Sequence, residues 1–164
     1  MTSELDWLPS ILSLSGTWEE ILSTLYSVFE KDFKKGKPFL KDYAIWWDQT
    51  IKPDQTYEEG FYHIISIVDK KTGERIPEFR RAERLPWCAP LITHSDDKAV
   101  KIWDYEEGTG QIHTYIWLEE GDYCIVLKKL PKHSFKVAML ITAFYVDGPS
   151  RIRNLRTKLE KKLL

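Results

Sequence analysis

The sequence contains few of the features that identify the commonest compact sites. Its two cysteines, Cys88 and Cys124, form no CxxC pair and no Cys/His spacing, which excludes a zinc ribbon, a dithiol redox motif and a disulfide framework. The phosphate loops GxGxxG and GxxxxGKS/T, the nucleophile elbow GxSxG and the metal motifs HExxH and DxDxDG are also absent. We therefore expect neither a metal nor another cofactor.

An excess of one charge and long apolar runs are also missing. The 24 Lys and Arg residues nearly balance the 25 Asp and Glu residues, for a net charge of −1, so any anion site must be local. The longest apolar run, around residues 137–146, is too short to cross a bilayer, and the start of the chain carries Glu4 and Asp6 instead of a basic region. We expect a cytoplasmic protein without a membrane segment.

What is present suffices for one globular domain, because 43% of the 164 residues are hydrophobic. The T-W-E-E capping box at Thr17 predicts a helix over 17–34 that ends at Gly36. A short helix could precede it over residues 8–14. Residues 39–47 and 61–68 have the composition of strands, and short helical pieces are predicted at 78–85 and 87–92.

The second half of the chain changes to the two-residue period of strands. Runs at 100–105, 111–118, 123–127 and 135–146 are separated by turn residues and predict an antiparallel meander. A basic amphipathic helix follows from Ser150. The prediction is a single α+β domain over 1–164, in which a helical N-terminal part, 1–36, packs on a four-stranded antiparallel sheet with a C-terminal basic helix.

Side chains of the second run alternate between two faces of the sheet. One face should be buried under the helix at 17–34; it carries Ile112, Thr114 and Ile116. The opposite face carries polar and aromatic side chains, namely His113, Tyr115 and Trp117. An exposed face of this composition could hold a ligand.

The segment R-I-P-E-F-R-R-A-E-R-L-P-W is the most distinctive in the chain. It places Arg75, Arg80, Arg81 and Arg84 within ten residues and contains no lysine. A planar guanidinium can hold a phosphate through two parallel hydrogen bonds, so the segment is a candidate anion site. The alternative is a solvated face paired with nearby glutamates.

Three further residues are candidates with ordinary structural alternatives. His63 titrates near neutral pH, yet it could simply be a hydrogen-bonded histidine on a half-buried strand. Thr142 and Tyr145 lie in an apolar strand where both residue types are common. Since they face opposite ways on a regular strand, they can share a site only if a bulge or the strand end intervenes.

Three short segments resemble phage- and mobile-element-encoded domains of the barnase, EndoU, colicin-nuclease and RelE-like (BECR-type) group. They are G-F-Y-H-I-I-S at 60–66, F-R-R-A-E-R-L-P-W at 79–87 with Pro90 and Ile92 close behind, and L-I-T-A-F-Y-V at 140–146. The resemblance covers about residues 60–160, a nuclease-like region. That group combines N-terminal helices with a four-stranded antiparallel sheet, which is similar to the layout predicted above.

The resemblance implies RNA cleavage without a metal, in which the 2′-OH attacks the adjacent phosphate and a cyclic phosphate forms. It implies catalytic roles for His63 as acid or base, Arg81 as phosphate clamp and Thr142 as hydrogen-bond donor. Further substrate-binding residues implied by it are Arg80, Arg84, His113, Tyr115, Trp117 and Tyr145. RNA is then the expected partner.

Two geometric expectations follow from these roles. His63, one clustered arginine and Thr142 should lie within about 10 Å of each other. At least two of Arg80, Arg81 and Arg84 should point into a common anion-accessible cleft. We also expect His63→Ala and Arg81→Ala each to lower RNA cleavage by about 100-fold or more while leaving the thermal midpoint nearly unchanged.

A binding module without enzymatic activity is the competing class. Such a protein would use the same sheet face and the basic helix to hold a nucleic acid or a protein, and scattered positions of the candidate residues would favour it. An immunity-type inhibitor of a nuclease is a third class, although it would fit an acidic chain better than this nearly neutral one.

Overall fold

Six strands form one mixed sheet within residues 5–130 and 135–164, the parts of the chain that this computed structural model describes. The strands are β1 Phe39–Leu40, β2 Tyr43–Trp46, β5 Val100–Glu106, β6 Ile112–Leu118, β7 Tyr123–Leu130 and β8 Val137–Tyr145, in the spatial order β1-β2-β8-β7-β6-β5. Strands β5 to β8 form the predicted antiparallel meander. The turn predicted between the last two lies partly at 131–134, outside the described residues.

The prediction of a four-stranded antiparallel sheet is wrong in its extent. Strand β2 pairs with β8 in parallel, and β1 pairs with β2 in antiparallel fashion, so the sheet is larger and mixed. Parallel pairing needs a long connection between its strands. Here the described residues between β2 and β8 contain three α-helices and five strands, so local sequence periodicity could not reveal the pairing.

A separate hairpin lies beside the main sheet. Strand β3, Ser66–Val68, pairs with β4, Arg75–Pro77, in antiparallel register, and the predicted polar turn joins them. Gly73 has a φ of +74° in this turn, a conformation that L side chains rarely adopt. The second strand of this hairpin was not predicted from the sequence.

Five α-helices lie in the described parts of the chain. They are α1 Trp18–Phe29, α2 Glu59–His63, α3 Phe79–Ala82, α4 Leu85–Thr93 and α5 Gly148–Glu160. The predicted capping box starts α1, since Thr17 Oγ1 accepts the backbone N–H of Glu20 at 3.2 Å. A π-helical turn, Glu30–Lys35, continues α1 to Gly36. No described helix is long and apolar enough to cross a membrane.

Two of the local predictions need correction. Residues 8–14 form no helix, and the side chains of Leu8, Leu12 and Leu14 instead pack on the core from an irregular segment. His63 ends helix α2 and does not lie on a strand. The aromatic composition of 61–68 suggested a strand, but in the folded chain Phe61 is fully buried in a helical turn against other rings.

One face of the main sheet packs against the helices α1 and α4. Ile116 and Leu118 of β6 belong to this core with Leu25 and Phe29 of α1, as predicted. Thr114 is buried on the same strand, whereas Ile112 is 47% exposed because it lies at the open end of the sheet. The expected buried face is therefore confirmed except at its first residue.

The opposite face is covered by α5. A second apolar cluster contains Trp103, Tyr115 and Trp117 from the sheet with Leu155 of the helix, and Trp117 is fully buried. The amphipathic stripe of α5 needs an apolar surface, and this face supplies it. The face predicted to carry RNA is thus an internal surface between the sheet and the C-terminal helix.

Candidate functional site

Thr142 and Tyr145 of β8 contact neighbouring residues of the same helix, and β8 carries a bulge just before Thr142. Val126 of β7 pairs with Thr142, but the next residue, Leu127, pairs with Leu140, so one residue of β8 is extra. Thr142 then contacts Arg81 and Tyr145 contacts Arg80, both on α3. The bulge does not lie between the two residues, because the register from Thr142 to Tyr145 is regular and Tyr145 is the last residue of the strand.

Arg81 is the buried centre of the site. Only 9% of the residue is exposed, and its Nη1 donates to the carbonyl oxygens of His63 at 3.1 Å and Ser66 at 2.9 Å and to Thr142 Oγ1 at 3.4 Å. Its Nε is buried and has no hydrogen-bond partner within residues 5–130 and 135–164. Burial lowers the pKa of the Arg81 guanidinium, but an arginine stays charged at neutral pH.

Thr142 completes this contact set. Its Oγ1 donates to the His63 carbonyl oxygen at 3.0 Å while it accepts from Arg81. The prediction that His63, Arg81 and Thr142 lie close together is therefore confirmed. They meet through the backbone carbonyl of His63, which fixes the end of α2 against β8 and leaves the imidazole free to point elsewhere.

The imidazole of His63 lies beside a buried carboxylate. Its Nε2 is 3.4 Å from Oε2 of Glu59, one helical turn earlier, and Lys52 Nζ is 2.9 Å from the other oxygen of that carboxylate. The side chain of Glu59 is 5% exposed and that of His63 33%. Burial and the positive charge of Arg75 lower the pKa of His63, although Glu59 opposes them. The ring is therefore neutral at neutral pH.

These groups surround a surface pocket of about 320 Å³. It lies between the hairpin and β8 and is lined by His63, Ser66, Ile67, Val68, Arg75, Arg81, Ile141 and Thr142. Arg75 Nη1 donates to the Ser66 hydroxyl at 3.4 Å, so a second guanidinium borders the same space. Two cations, a neutral imidazole and hydroxyl groups around one opening can hold an oxyanion and move a proton beside it.

Known proteins offer no further guide to this site. Comparison with protein families, curated proteins and solved structures finds no match. The functional interpretation therefore depends on the chemistry of the residues around the pocket.

Arg80 and Arg84 lie apart from the pocket. The Cζ atoms of Arg80 and Arg84 are 5.0 Å and 4.6 Å from the centre of the Tyr145 ring, and Arg80 Nη1 donates to the Tyr145 hydroxyl at 2.9 Å. Of the three arginines predicted to share a cleft, only Arg81 lines the pocket. Arg80 and Arg84 instead lie together at the Tyr145 ring, so a common anion-accessible cleft for two of the three arginines stays a prediction.

The other predicted substrate-binding residues lie under α5. Tyr115 is 4% exposed and Trp117 is fully buried, so neither ring is available to bind RNA as the resemblance implied. His113 Nδ1 contacts Glu107 at 2.9 Å, and Lys158 of α5 reaches the same carboxylate at 3.0 Å. These side chains fasten the C-terminal helix to the sheet, and they do not line the pocket.

Arg75 and Glu59 belong to the site but were not predicted to do so. The sequence analysis named Arg75 only as part of the arginine cluster, because its position depends on the unpredicted strand β4, which pairs it with Val68. Glu59 precedes His63 by four residues, a spacing that would have placed both on one side of a helix had 59–63 been predicted helical.

Proposed function

We propose that the pocket binds a phosphodiester of RNA and cleaves it without a metal ion, by attack of the 2′-OH and formation of a cyclic phosphate. The observation that carries this proposal is the meeting of His63, Arg81 and Thr142, which are distant in the chain, at one opening that Arg75 also borders. Packing of the core alone does not require such a combination of groups.

His63 acts as the base in this proposal. A neutral imidazole can accept the proton of the 2′-OH as that oxygen forms its bond to phosphorus and the bond from phosphorus to the 5′-oxygen breaks. Nε2 faces Glu59, so Nδ1 is the nitrogen left to accept the proton. Solvent supplies a proton to the leaving 5′-oxygen. The protonated imidazole later releases to solvent the proton that it took from the 2′-OH.

The two guanidinium groups stabilise the charge that builds up on the phosphate. Arg75 borders the pocket and is only partly buried, so it can approach a non-bridging oxygen directly. Arg81 contributes its charge from beneath the pocket and holds the His63 backbone in place. Thr142 supports the same carbonyl, which makes it a positioning residue for the base.

The first experiment is RNA cleavage by the purified protein in the presence of EDTA. Wild type should cut single-stranded RNA, and His63→Ala should lower the rate by about 100-fold or more. His94→Ala is a matched control, because His94 stacks on Trp7 and does not line the pocket. Intact RNA over a wide range of pH and protein concentration would contradict the proposal.

A second candidate is a binding module that holds RNA or a protein without cutting it. Its support is that the Nη1 atom of Arg81 is already occupied by three protein acceptors and that Arg84 Nη1 is paired with Glu83 at 2.6 Å. Binding of RNA by wild type and His63→Ala alike, with no cleavage by either, would favour this candidate.

We also propose that the protein acts in the cytoplasm. Both cysteines are buried free thiols, which are typical of proteins in a reducing compartment. This location would also give the pocket access to cellular RNA.

A further inference from the structure

Two arginines and two aromatic rings form a cluster next to the pocket. We call it the arginine ladder and define it as Trp87, Arg84, Tyr145 and Arg80. The Cζ atom of Arg84 is 5.2 Å from the Trp87 ring centre and 4.6 Å from that of Tyr145, and the Cζ atom of Arg80 is 5.0 Å from the Tyr145 ring centre. Both guanidinium groups therefore lie near the Tyr145 ring, and that of Arg84 also lies near the Trp87 ring.

The inner part of the arginine ladder is held rigidly. Trp87 Nε1 donates to the carbonyl oxygen of Pro9 at 2.8 Å, and Arg84 Nη1 donates to the carbonyl oxygen of Arg80 at 2.9 Å. The outer member, Arg80, is exposed and contacts Tyr145. The ladder thus ends in an exposed guanidinium that is held at the Tyr145 hydroxyl.

Two like charges share the Tyr145 ring, which is unfavourable without a compensating group. Glu83 pairs with Arg84, but Glu78 uses its carboxylate to accept the backbone N–H groups of Arg80 and Arg81. The side chain of Arg80 is left without a carboxylate partner among the described residues. A phosphate beside it would supply the missing negative charge, and a base could extend the stack over the guanidinium.

We infer that the arginine ladder binds an unpaired nucleotide of the RNA next to the phosphate in the pocket, so that the substrate is single-stranded. This inference rests on the proposed function for the position of the pocket. Arg80 precedes Arg81 in the chain, and Tyr145 follows Thr142 by three residues, so both the helix and the strand join the ladder to the pocket.

The requirement for a single strand follows from the geometry of stacking. In a duplex both faces of a base are covered by its neighbours, so a side chain cannot stack on it without opening the helix. An unpaired nucleotide offers a free face to the Arg80 guanidinium while its phosphate remains near Arg81. Duplex RNA would contact the positive charges, but its bases could not stack on the Arg80 guanidinium.

The test measures binding, with RNA that cannot be cleaved. A fluorescent single-stranded 2′-O-methyl oligonucleotide of mixed sequence is titrated with wild type, Arg80→Ala, Tyr145→Leu and the control Arg153→Ala, which changes an exposed arginine of α5 outside the ladder. A blunt duplex of the same composition is titrated in parallel. Circular dichroism confirms that each variant is folded.

We expect wild type to bind the single strand more tightly than the duplex. Arg80→Ala and Tyr145→Leu should each weaken single-strand binding by about tenfold, because each removes a contact to the unpaired nucleotide. Arg153→Ala removes only one distant positive charge and should change the affinity by less than about twofold. Equal affinity for duplex and single strand, or ladder variants that bind like wild type, would overturn the inference.

The outcome separates this inference from the proposed function. If ladder variants lose single-strand affinity while wild type never cleaves natural RNA, the ladder stands and the nuclease proposal fails. If wild type cleaves RNA while ladder variants bind and cleave normally, the nuclease proposal stands and the ladder fails.

Discussion

Replacing Arg81 by alanine should lower the free energy of unfolding of the protein. This replaces the expectation that the change would leave the thermal midpoint nearly unchanged. The Arg81 side chain donates to the carbonyl oxygens of His63 and Ser66 from a position that is 9% exposed. Alanine cannot make these hydrogen bonds, so the two carbonyl oxygens lose a charged donor.

The size of the effect can be worked out from these contacts. Loss of a charge-assisted hydrogen bond to the buried Ser66 carbonyl lowers the free energy of unfolding by about 1.5–3 kcal/mol. Loss of the hydrogen bond to the His63 carbonyl lowers the free energy of unfolding by less, because Thr142 still donates to this oxygen at 3.0 Å. With part of the packing also lost, we expect a total of about 3 kcal/mol, which in a domain of this size lowers the thermal midpoint by about 6–12 °C.

Urea unfolding followed by tryptophan fluorescence and by circular dichroism measures this change. Arg80→Ala is the matched control, since it removes a guanidinium from the adjacent exposed position of the same helix and should lower the free energy of unfolding by at most about 1 kcal/mol. If Arg81→Ala unfolds at the same urea concentration as wild type or as Arg80→Ala, the description of Arg81 as a structural centre is refuted.

Three further predictions concern the core and the titration of the site. Trp117→Ala should lower the free energy of unfolding by about 3–5 kcal/mol in urea, since its ring is fully buried. Gly60→Ala should lower it by about 1–3 kcal/mol, because the new Cβ would lie 2.7 Å from Trp47 Cβ. Arg75→Gln removes a positive charge that, together with burial, lowers the pKa of His63, so NMR titration of the variant should show a higher pKa for this histidine. The acidic limb of the pH–rate profile for cleavage should move to higher pH by the same amount.

The local elements of this fold could be predicted from the sequence where one short pattern decides the structure. The capping box starts α1, and strict alternation with turn residues locates the meander from β5 to β8. Pairings between distant segments could not be predicted. Strand β2 pairs in parallel with β8, and α5 covers one face of the sheet. Both contacts depend on tertiary packing, about which the local periodicity of the sequence gives no information.

The candidate site was predicted in part, and the reasons differ from residue to residue. The meeting of His63, Arg81 and Thr142 was expected only from the resemblance, whereas the contacts of Thr142 and Tyr145 with neighbouring residues of α3 depend on tertiary packing that a single sequence does not show. The interpretation of Trp117 was wrong because an alternating strand indicates two faces and does not say which is covered.

The chemical ends of the RNA products test the central claim most directly. Cleavage by wild type in EDTA should leave 2′,3′-cyclic phosphate and 5′-hydroxyl ends, and an oligonucleotide without 2′-hydroxyl groups should stay intact, because His63 takes its proton from that hydroxyl. The same cleavage of both oligonucleotides, or products with 5′-phosphate ends, would show attack by water and contradict the proposed use of His63, Arg75 and Arg81.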